Sequence, residues 1–276
     1  RKRIPAGTPS VEALGMAFEE QYRQLLAHDP GTRRGDDPED LHQLRVATRR
    51  LRAFLRCARA LVDRDWAESL RAELGWLGIT IPEAYGGAGL GVTEAALMLH
   101  EICASGAGTS GCSPIHFYVF PPTPLVKYGT EAMKRKYLPR IVSGEIVMAF
   151  GVTEPNAGTD TSRIQTRAEK KGDRWVVNGR KVWTTNAQHA NRILLLARTA
   201  DRDPAKPLKG MTLFFADFDR EAITVRLIHK LGRAAVDSNE IFIDNLEIPE
   251  EDVVGTVGEG FYHLLDSLNP ERVLVA

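Results

Sequence analysis

Val152-Thr153-Glu154-Pro155-Asn156-Ala157-Gly158-Thr159-Asp160 and Asn178-Gly179-Arg180-Lys181-Val182-Trp183-Thr184-Thr185-Asn186 are the two stretches on which the fold of this chain turns. The second sits inside a run of strand signals. Lys170-Lys171-Gly172-Asp173 reads as a turn, and Arg174-Trp175-Val176-Val177 follows it with alternating character. Asn178-Gly179 between β-rich flanks predicts a hairpin turn. Read by composition alone, Thr153 and Thr185 are strand residues chosen for β propensity. By the same reading, Trp183 is a core side chain. Further strands are expected over 192–199, 211–217, 223–228 and 240–243.

Outward from this β-rich centre the texture changes twice. Residues 10–76 are rich in Ala, Leu and Arg and read as helix, broken at Asp29-Pro30-Gly31-Thr32 and at the charged loop 33–38. Residues 77–146 mix Gly/Pro turns with helices expected near 93–105 and 131–143. From Gly258 the pattern returns to helix. Helices, then strands, then helix is not the βαβ alternation of a dinucleotide fold.

The 276 residues and 30.5 kDa suit about two domains. Thirty-six basic side chains balance thirty-six acidic ones, which disfavours a globally basic nucleic-acid binder. The apolar run 193–197 is far shorter than the roughly 20 residues that span a bilayer. Arg1-Lys2-Arg3-Ile4-Pro5 is not a signal peptide, and the missing initiator Met suggests a fragment. Cys57, Cys103 and Cys112 have no metal or redox spacing, so a reduced, cytoplasmic protein is expected. His100 and His116 read as structural. No metal-ligand cluster or serine-hydrolase pattern is found. Gly86, Gly87 and Gly89 read as turn glycines rather than a phosphate cradle.

The helix expected over 41–62 carries two parallel rows. Leu41, Leu44, Thr48, Leu51, Leu55, Ala58 and Val62 form an apolar seam. His42, Arg45, Arg49, Arg52, Arg56 and Arg59 follow one residue later, about 100° around the helix. Six arginines and no acid fall between residues 41 and 59. Crowded guanidinium groups call for anions, and their forks suit phosphate oxygens. The stretch Leu41-His42-Gln43-Leu44-Arg45-Val46-Ala47-Thr48-Arg49-Arg50-Leu51-Arg52 resembles the opening helix of the conserved-histidine α-helical (CHAD) domain, a family associated with polyphosphate. The resemblance implies that His42, Arg45, Arg49, Arg50 and Arg52 face phosphate. The plainer alternative is a solvated basic face paired with nearby acids.

From Leu74 a different resemblance takes over. Residues 74–89, Tyr128-Gly129-Thr130, Lys136-Tyr137-Leu138-Pro139 and Ser143-Gly144-Glu145 are similar to the N-terminal region of acyl-CoA dehydrogenases. The two opening stretches follow in that family's order and spacing. The resemblance implies an α+β multidomain fold with a helical N-terminal part, an antiparallel β-barrel-like middle domain and the start of a C-terminal helical domain. It implies FAD as cofactor, with α,β-dehydrogenation of an acyl-CoA thioester in fatty acid metabolism. Phe150, Val152 and Thr153 would line the flavin pyrimidine, and Gly158 would let a ligand approach the backbone. Thr159, where the family usually has Ser, would lie near cofactor and thioester. Trp183 would lie against the ring, Thr184 beside it, and Thr185 would donate towards N5. Asn269 and Arg272, in Asn269-Pro270-Glu271-Arg272, would contact the acyl-CoA. An electron-transfer flavoprotein is the implied acceptor, and a complete protein of this type would be a homo-oligomer.

These resemblances divide the chain into 1–75 (CHAD-like), 76–146 (N-terminal helical region), 147–252 (middle β domain) and 253–276 (first part of a C-terminal helical domain). They meet near 71–78, where the sequence suits both families. The family's catalytic glutamate would lie beyond Ala276, so no catalytic residue is assigned. The alternatives are a polyphosphate-binding helical module and an inactive chimera.

Overall fold

The computed structural model describes residues 15–16, 19–24, 26–27, 76–104, 108–232 and 236–274. The chain divides into two compact units, Arg1–Leu74 and Gly75–Ala276. In the first, residues 19–24 are helical, and Arg23 pairs with Glu19 one turn away at 3.1 Å. His42, Arg45, Arg49, Arg50, Arg52 and the helix expected over 41–62 lie outside the described residues.

In the second unit, α1 (Val92–Ile102) opens on Gly91, whose amide donates to the Glu94 carboxylate at 2.8 Å. It is followed by α2 (Gly108–His116) and α3 (Thr123–Tyr128). The next helix, α4 (Glu131–Val142), starts at Thr130, whose hydroxyl accepts from the Met133 amide at 3.2 Å. That bond satisfies one of the open N–H groups of the first turn. Of these, the sequence reading finds α1 and α4 within a few residues. The shorter α2 and α3 escape it, because Pro114 lies inside one and Pro124 near the start of the other.

Strands β1 (Met148–Gly151), β2 (Arg167–Lys171), β3 (Arg174–Thr185), β4 (Arg192–Arg198), β5 (Met211–Asp217), β6 (Ile223–Leu227), β7 (Ser238–Pro249) and β8 (Val253–Val254) form one sheet, and α5 (Gly260–Leu274) follows. The order is β6-β7-β3-β2-β4-β5-β8, with β1 also on β4. Pairing is mostly antiparallel, as expected, with β1–β4 and β2–β4 parallel.

Two of these pairings shape the site. One edge of β4 is shared: β1 takes its first half, from Met148↔Arg192 to Gly151↔Leu195, and β2 touches its end at Arg167↔Arg198. On β3, β2 covers only Arg174 to Asn178. The rest of β3, up to Thr185, therefore runs past the chain that leaves β1.

The hairpin expected at Asn178-Gly179 is not there. The turn is made at Gly172 (φ +63°), between Lys171 and its partner Arg174. Asn178-Gly179 instead sits mid-strand, at a register shift between β3 and β7. A Cβ on Gly179 would fall 2.4 Å from the Thr166 hydroxyl, so glycine serves close backbone approach there. Asn178 Oδ1 accepts from the Asn245 amide at 2.8 Å and closes the bulge. Pairing on both sides of β3 outweighs the local turn preference.

All seven side chains of β4 are buried. Leu194 and Leu196 join a core with Met148, Tyr137, Leu138, Ile141, Phe215 and Leu264. Ile193, Leu195 and Ala197 join a second core with Trp175, Val177, Phe214 and Ile241. A strand buried on both faces reads as a continuous apolar run. Helix α4 is fastened to the sheet by a buried cluster. Tyr137 donates to Asp252 Oδ1 at 2.7 Å, and Arg192 bonds Asp252 Oδ2 at 3.0 Å, the Phe215 carbonyl at 2.8 Å and the Tyr137 hydroxyl.

Candidate functional site

The first motif leaves β1 at Gly151, where a Cβ would meet the Ile193 methyl at 2.9 Å. The missing side chain leaves that space to the Ile193 and Leu195 methyls of β4. The chain then runs beside the second half of β3. There the Val182 amide donates to the Thr153 carbonyl at 2.9 Å. Lys181 Nζ donates to the Val152 carbonyl at 3.1 Å and to Glu154 Oε1 at 2.9 Å. Glu154 also accepts the amides of Gln165 at 2.7 Å and Thr166 at 2.9 Å. One carboxylate thus gathers three segments, and one ammonium bridges both motifs.

Both charges are buried: Lys181 is 0% exposed and Glu154 6%. Desolvation pushes the Lys181 ammonium down to about 8, against the opposing pull of Glu154. Desolvation works to raise the Glu154 carboxyl, but the charge of Lys181 and the bonds it receives hold it below its ordinary value. The pair is ionised at neutral pH. Committed to three donors, Glu154 is not an available base.

Beyond Lys181 the register of β3 on β7 shifts again, before Thr184. This second bulge puts Trp183 at φ +62°, in the left-handed region. A bulky residue there costs on the order of 1–3 kcal/mol and persists only where its surroundings impose it. The bulge turns the indole outward, leaving Trp183 60% exposed. The expectation that Trp183 is core is therefore overturned, because the bulge reverses the side-chain phase that strict alternation assigns. Thr184 is fully buried, and its hydroxyl has no partner among the described residues. Thr185 is half-buried opposite Ser238. Asn186, also at positive φ, ends the strand and donates to the Met148 carbonyl at 3.4 Å.

Phe150, Val152, Thr153, Trp183, Thr184 and Thr185 are thus brought to one place by the β1–β3 contact. Phe150 packs edge-on to Phe120, with ring centres 5.4 Å apart, and the Phe120 carbonyl accepts from Ser267 of α5 at 2.6 Å. Gly158 and Thr159 are exposed on the turn after Glu154. A Cβ on Gly158 would touch only the Thr153 methyl, at 3.8 Å, so the protein's own packing does not require glycine there. Asn269 and Arg272 lie on a separate element, α5. The sequence reading missed Glu154 and Lys181 as a pair. The available signal was an acid in one motif and a base in the other. Among the described residues no group of His, Cys, Asp and Glu is placed to hold a metal ion.

Comparison with known proteins finds both resemblances, on different parts of the chain. Residues 149–246 match the model of the acyl-CoA dehydrogenase middle domain. The chain is 36% identical to mitochondrial isovaleryl-CoA dehydrogenase of Pongo abelii over 206 residues, covering 74% of this chain and 48% of that protein. Over this span the chain is similar to the acyl-CoA dehydrogenases. Glutaryl-CoA dehydrogenase of Desulfococcus multivorans is 35% identical over 215 residues, covering 74% of this chain and 52% of that one. The chain spans about half the length of the curated relatives it matches. Among solved structures, an acyl-CoA dehydrogenase from Geobacillus kaustophilus aligns with a TM-score of 0.75 at 30% identity, over 87% of this chain and 64% of that one. The glutaryl-CoA dehydrogenase–glutaryl-CoA complex aligns with a TM-score of 0.73 at 31% identity, over 86% and 62%. Residues 16–82 match the CHAD domain model, a second family ahead of the dehydrogenase part.

Proposed function

We propose that residues 76–276 form the cofactor-holding part of an FAD-dependent acyl-CoA dehydrogenase. The observation that carries this is the Val182–Thr153 hydrogen bond, with the Lys181–Glu154 pair beneath it. Together they join the two motifs under an outward-facing Trp183. In this reading FAD, when bound, accepts a hydride from the β-carbon of an acyl-CoA thioester. The chain's own residues position the ring. Trp183 offers a flat face, Thr153, just past β1, and Thr185, at the end of β3, offer hydroxyl donors, and the buried Thr184 hydroxyl awaits an acceptor. Phe150 and Val152 close the pyrimidine side, and Gly158 leaves room for close approach. In this reading Thr159, Asn269 and Arg272 are assigned to the acyl-CoA by their place in the motifs. The domain division at 75/76, 146/147 and 252/253 belongs to this reading, as do homo-oligomer formation, a role in fatty acid metabolism and an electron-transfer flavoprotein acceptor. The thiols of Cys103 and Cys112 share a hydrogen bond at 3.4 Å rather than a disulfide, and Cys112 also donates to the Leu99 carbonyl at 3.1 Å, which suits a reducing cytoplasm.

The test is titration of the full chain with FAD, following flavin absorbance and quenching of tryptophan fluorescence. Saturable binding that Trp183→Ala and Thr185→Val weaken is the expected result. Absence of flavin binding in a folded sample overturns the reading.

A second reading rests on the CHAD match over residues 16–82. In it, His42, Arg45, Arg49, Arg50 and Arg52 bind polyphosphate. Replacing Arg45, Arg49 and Arg52 by Ala should abolish salt-sensitive polyphosphate binding. Unchanged affinity removes this reading.

A further inference from the structure

Helices α1 and α2 bring two thiols together. Cys103 stands at the C-terminal end of α1, where its amide donates to the Leu99 and His100 carbonyls. Cys112 lies inside α2. Their Sγ atoms are 3.4 Å apart, and Cys112 Sγ also donates to the Leu99 carbonyl at 3.1 Å. In the sequence the two residues are nine positions apart, a spacing with no redox signature. The packing of α2 on α1 supplies the partner that the spacing conceals.

The pair is poised for oxidation as well as close. Sulfurs at this separation need only a small approach to bond. Both residues are half-buried, so a small oxidant can reach them from solvent. Cys112 packs against a small core of Leu99, Ile102 and Ile115, together with Trp76 and Met98, and the sulfurs cannot separate without opening it. No His, Asp or Glu joins them in a metal-holding group among the described residues. The same helix leads towards the two motifs. It ends at His116, whose ring lies 4.5 Å from that of Phe120, and Phe120 packs edge-on to Phe150. A tie at Cys112 therefore fixes the element from which this aromatic wall continues.

We propose that Cys103 and Cys112 form a site of reversible oxidation, at which a disulfide clamps α2 to the end of α1. The oxidant is a small-molecule disulfide of the glutathione class. One cysteine thiolate attacks a sulfur of that disulfide, which forms a mixed disulfide and releases one small thiol. The second cysteine then attacks the sulfur of the first and displaces the other small thiol. The two cysteines lose two electrons and two protons. The small disulfide takes up the electrons, and its two released thiolates take the protons through solvent. Held in contact, the second cysteine outcompetes external thiols, so the mixed disulfide does not accumulate. The site is independent of the flavin reading, since neither FAD nor acyl-CoA takes part.

The experiment equilibrates the full chain, carrying Cys57→Ser so that the third cysteine does not react, in glutathione buffers of increasing oxidised fraction. Intact mass and a peptide map are read after acid quenching. The expected product has lost about two mass units and contains a peptide linking residues 103 and 112, with half-conversion while reduced glutathione is still in excess. The oxidised form should melt a few degrees higher, and amide hydrogen exchange across 108–116 should slow. Dithiothreitol should reverse both changes. In Cys103→Ser or Cys112→Ser, the remaining cysteine should instead retain one glutathione adduct. The mass change of the Cys57→Ser chain decides the matter even where a further serine variant does not fold. Two glutathione adducts on that chain, no reaction in oxidised glutathione alone, or a disulfide that leaves melting and exchange unchanged overturns the proposal.

Discussion

Two buried ion clusters hold this molecule together, and they titrate in opposite directions. Glu154 meets Lys181 beneath the two motifs, and Asp252 meets Arg192 and Tyr137 between α4 and the sheet. The two carboxylates are almost equally buried, at 6% and 3% exposure. Burial pushes the Asp252 carboxyl above its ordinary value even with Tyr137 and Arg192 beside it, whereas Glu154 is held below its own. The difference lies in the partners. Glu154 receives two backbone amides as well as the ammonium. Asp252 shares its guanidinium with Asp217 at 3.0 Å and with the Phe215 carbonyl. Burial depth therefore does not set the protonation of a carboxylate; the number of donors committed to its charged form does.

The comparison is broken most strongly by Lys181→Met. It leaves Glu154 charged and buried and should cost about 3–5 kcal/mol of stability by urea unfolding. Adding Glu154→Gln should restore part of that loss, since a missing pair costs less than half a pair. At the other cluster, Arg192→Lys should cost about 1–3 kcal/mol, because one ammonium cannot serve Asp252, Asp217 and the Phe215 carbonyl in the same fork geometry.

The pH dependence sharpens the contrast. A carboxyl lowered by folding contributes stability above its unfolded value, near 4.5 for Glu154, that is lost as acid protonates the native state. A carboxyl raised by folding contributes stability below its unfolded value, near 3.8 for Asp252, that is lost as pH rises through the folded value. Melting curves between about pH 3 and 6 should thus show Glu154→Gln with a shallower acid loss than the parent, and Asp252→Asn with a steeper one. The smallest expected effect is at Trp183. Trp183→Gly removes a side chain from left-handed backbone and should change the melting temperature by only a few degrees, upward where strain relief dominates. The same substitution should abolish the flavin-dependent fluorescence change.

By itself the sequence determined what local pattern controls. The span of β5, the turn at Gly172, the start of α4 and the two motifs are all legible in it, because each rests on neighbours within a few residues. Asn178-Gly179 and Trp183 were not, since the pairing of β3 with both β2 and β7 decides whether a residue turns, bulges or faces inward. Nor was the meeting of Glu154 with Lys181 foreseeable from spacing. The two lie far apart along the chain, and the packing of β1 and β2 along one edge of β4 brings the pair within reach.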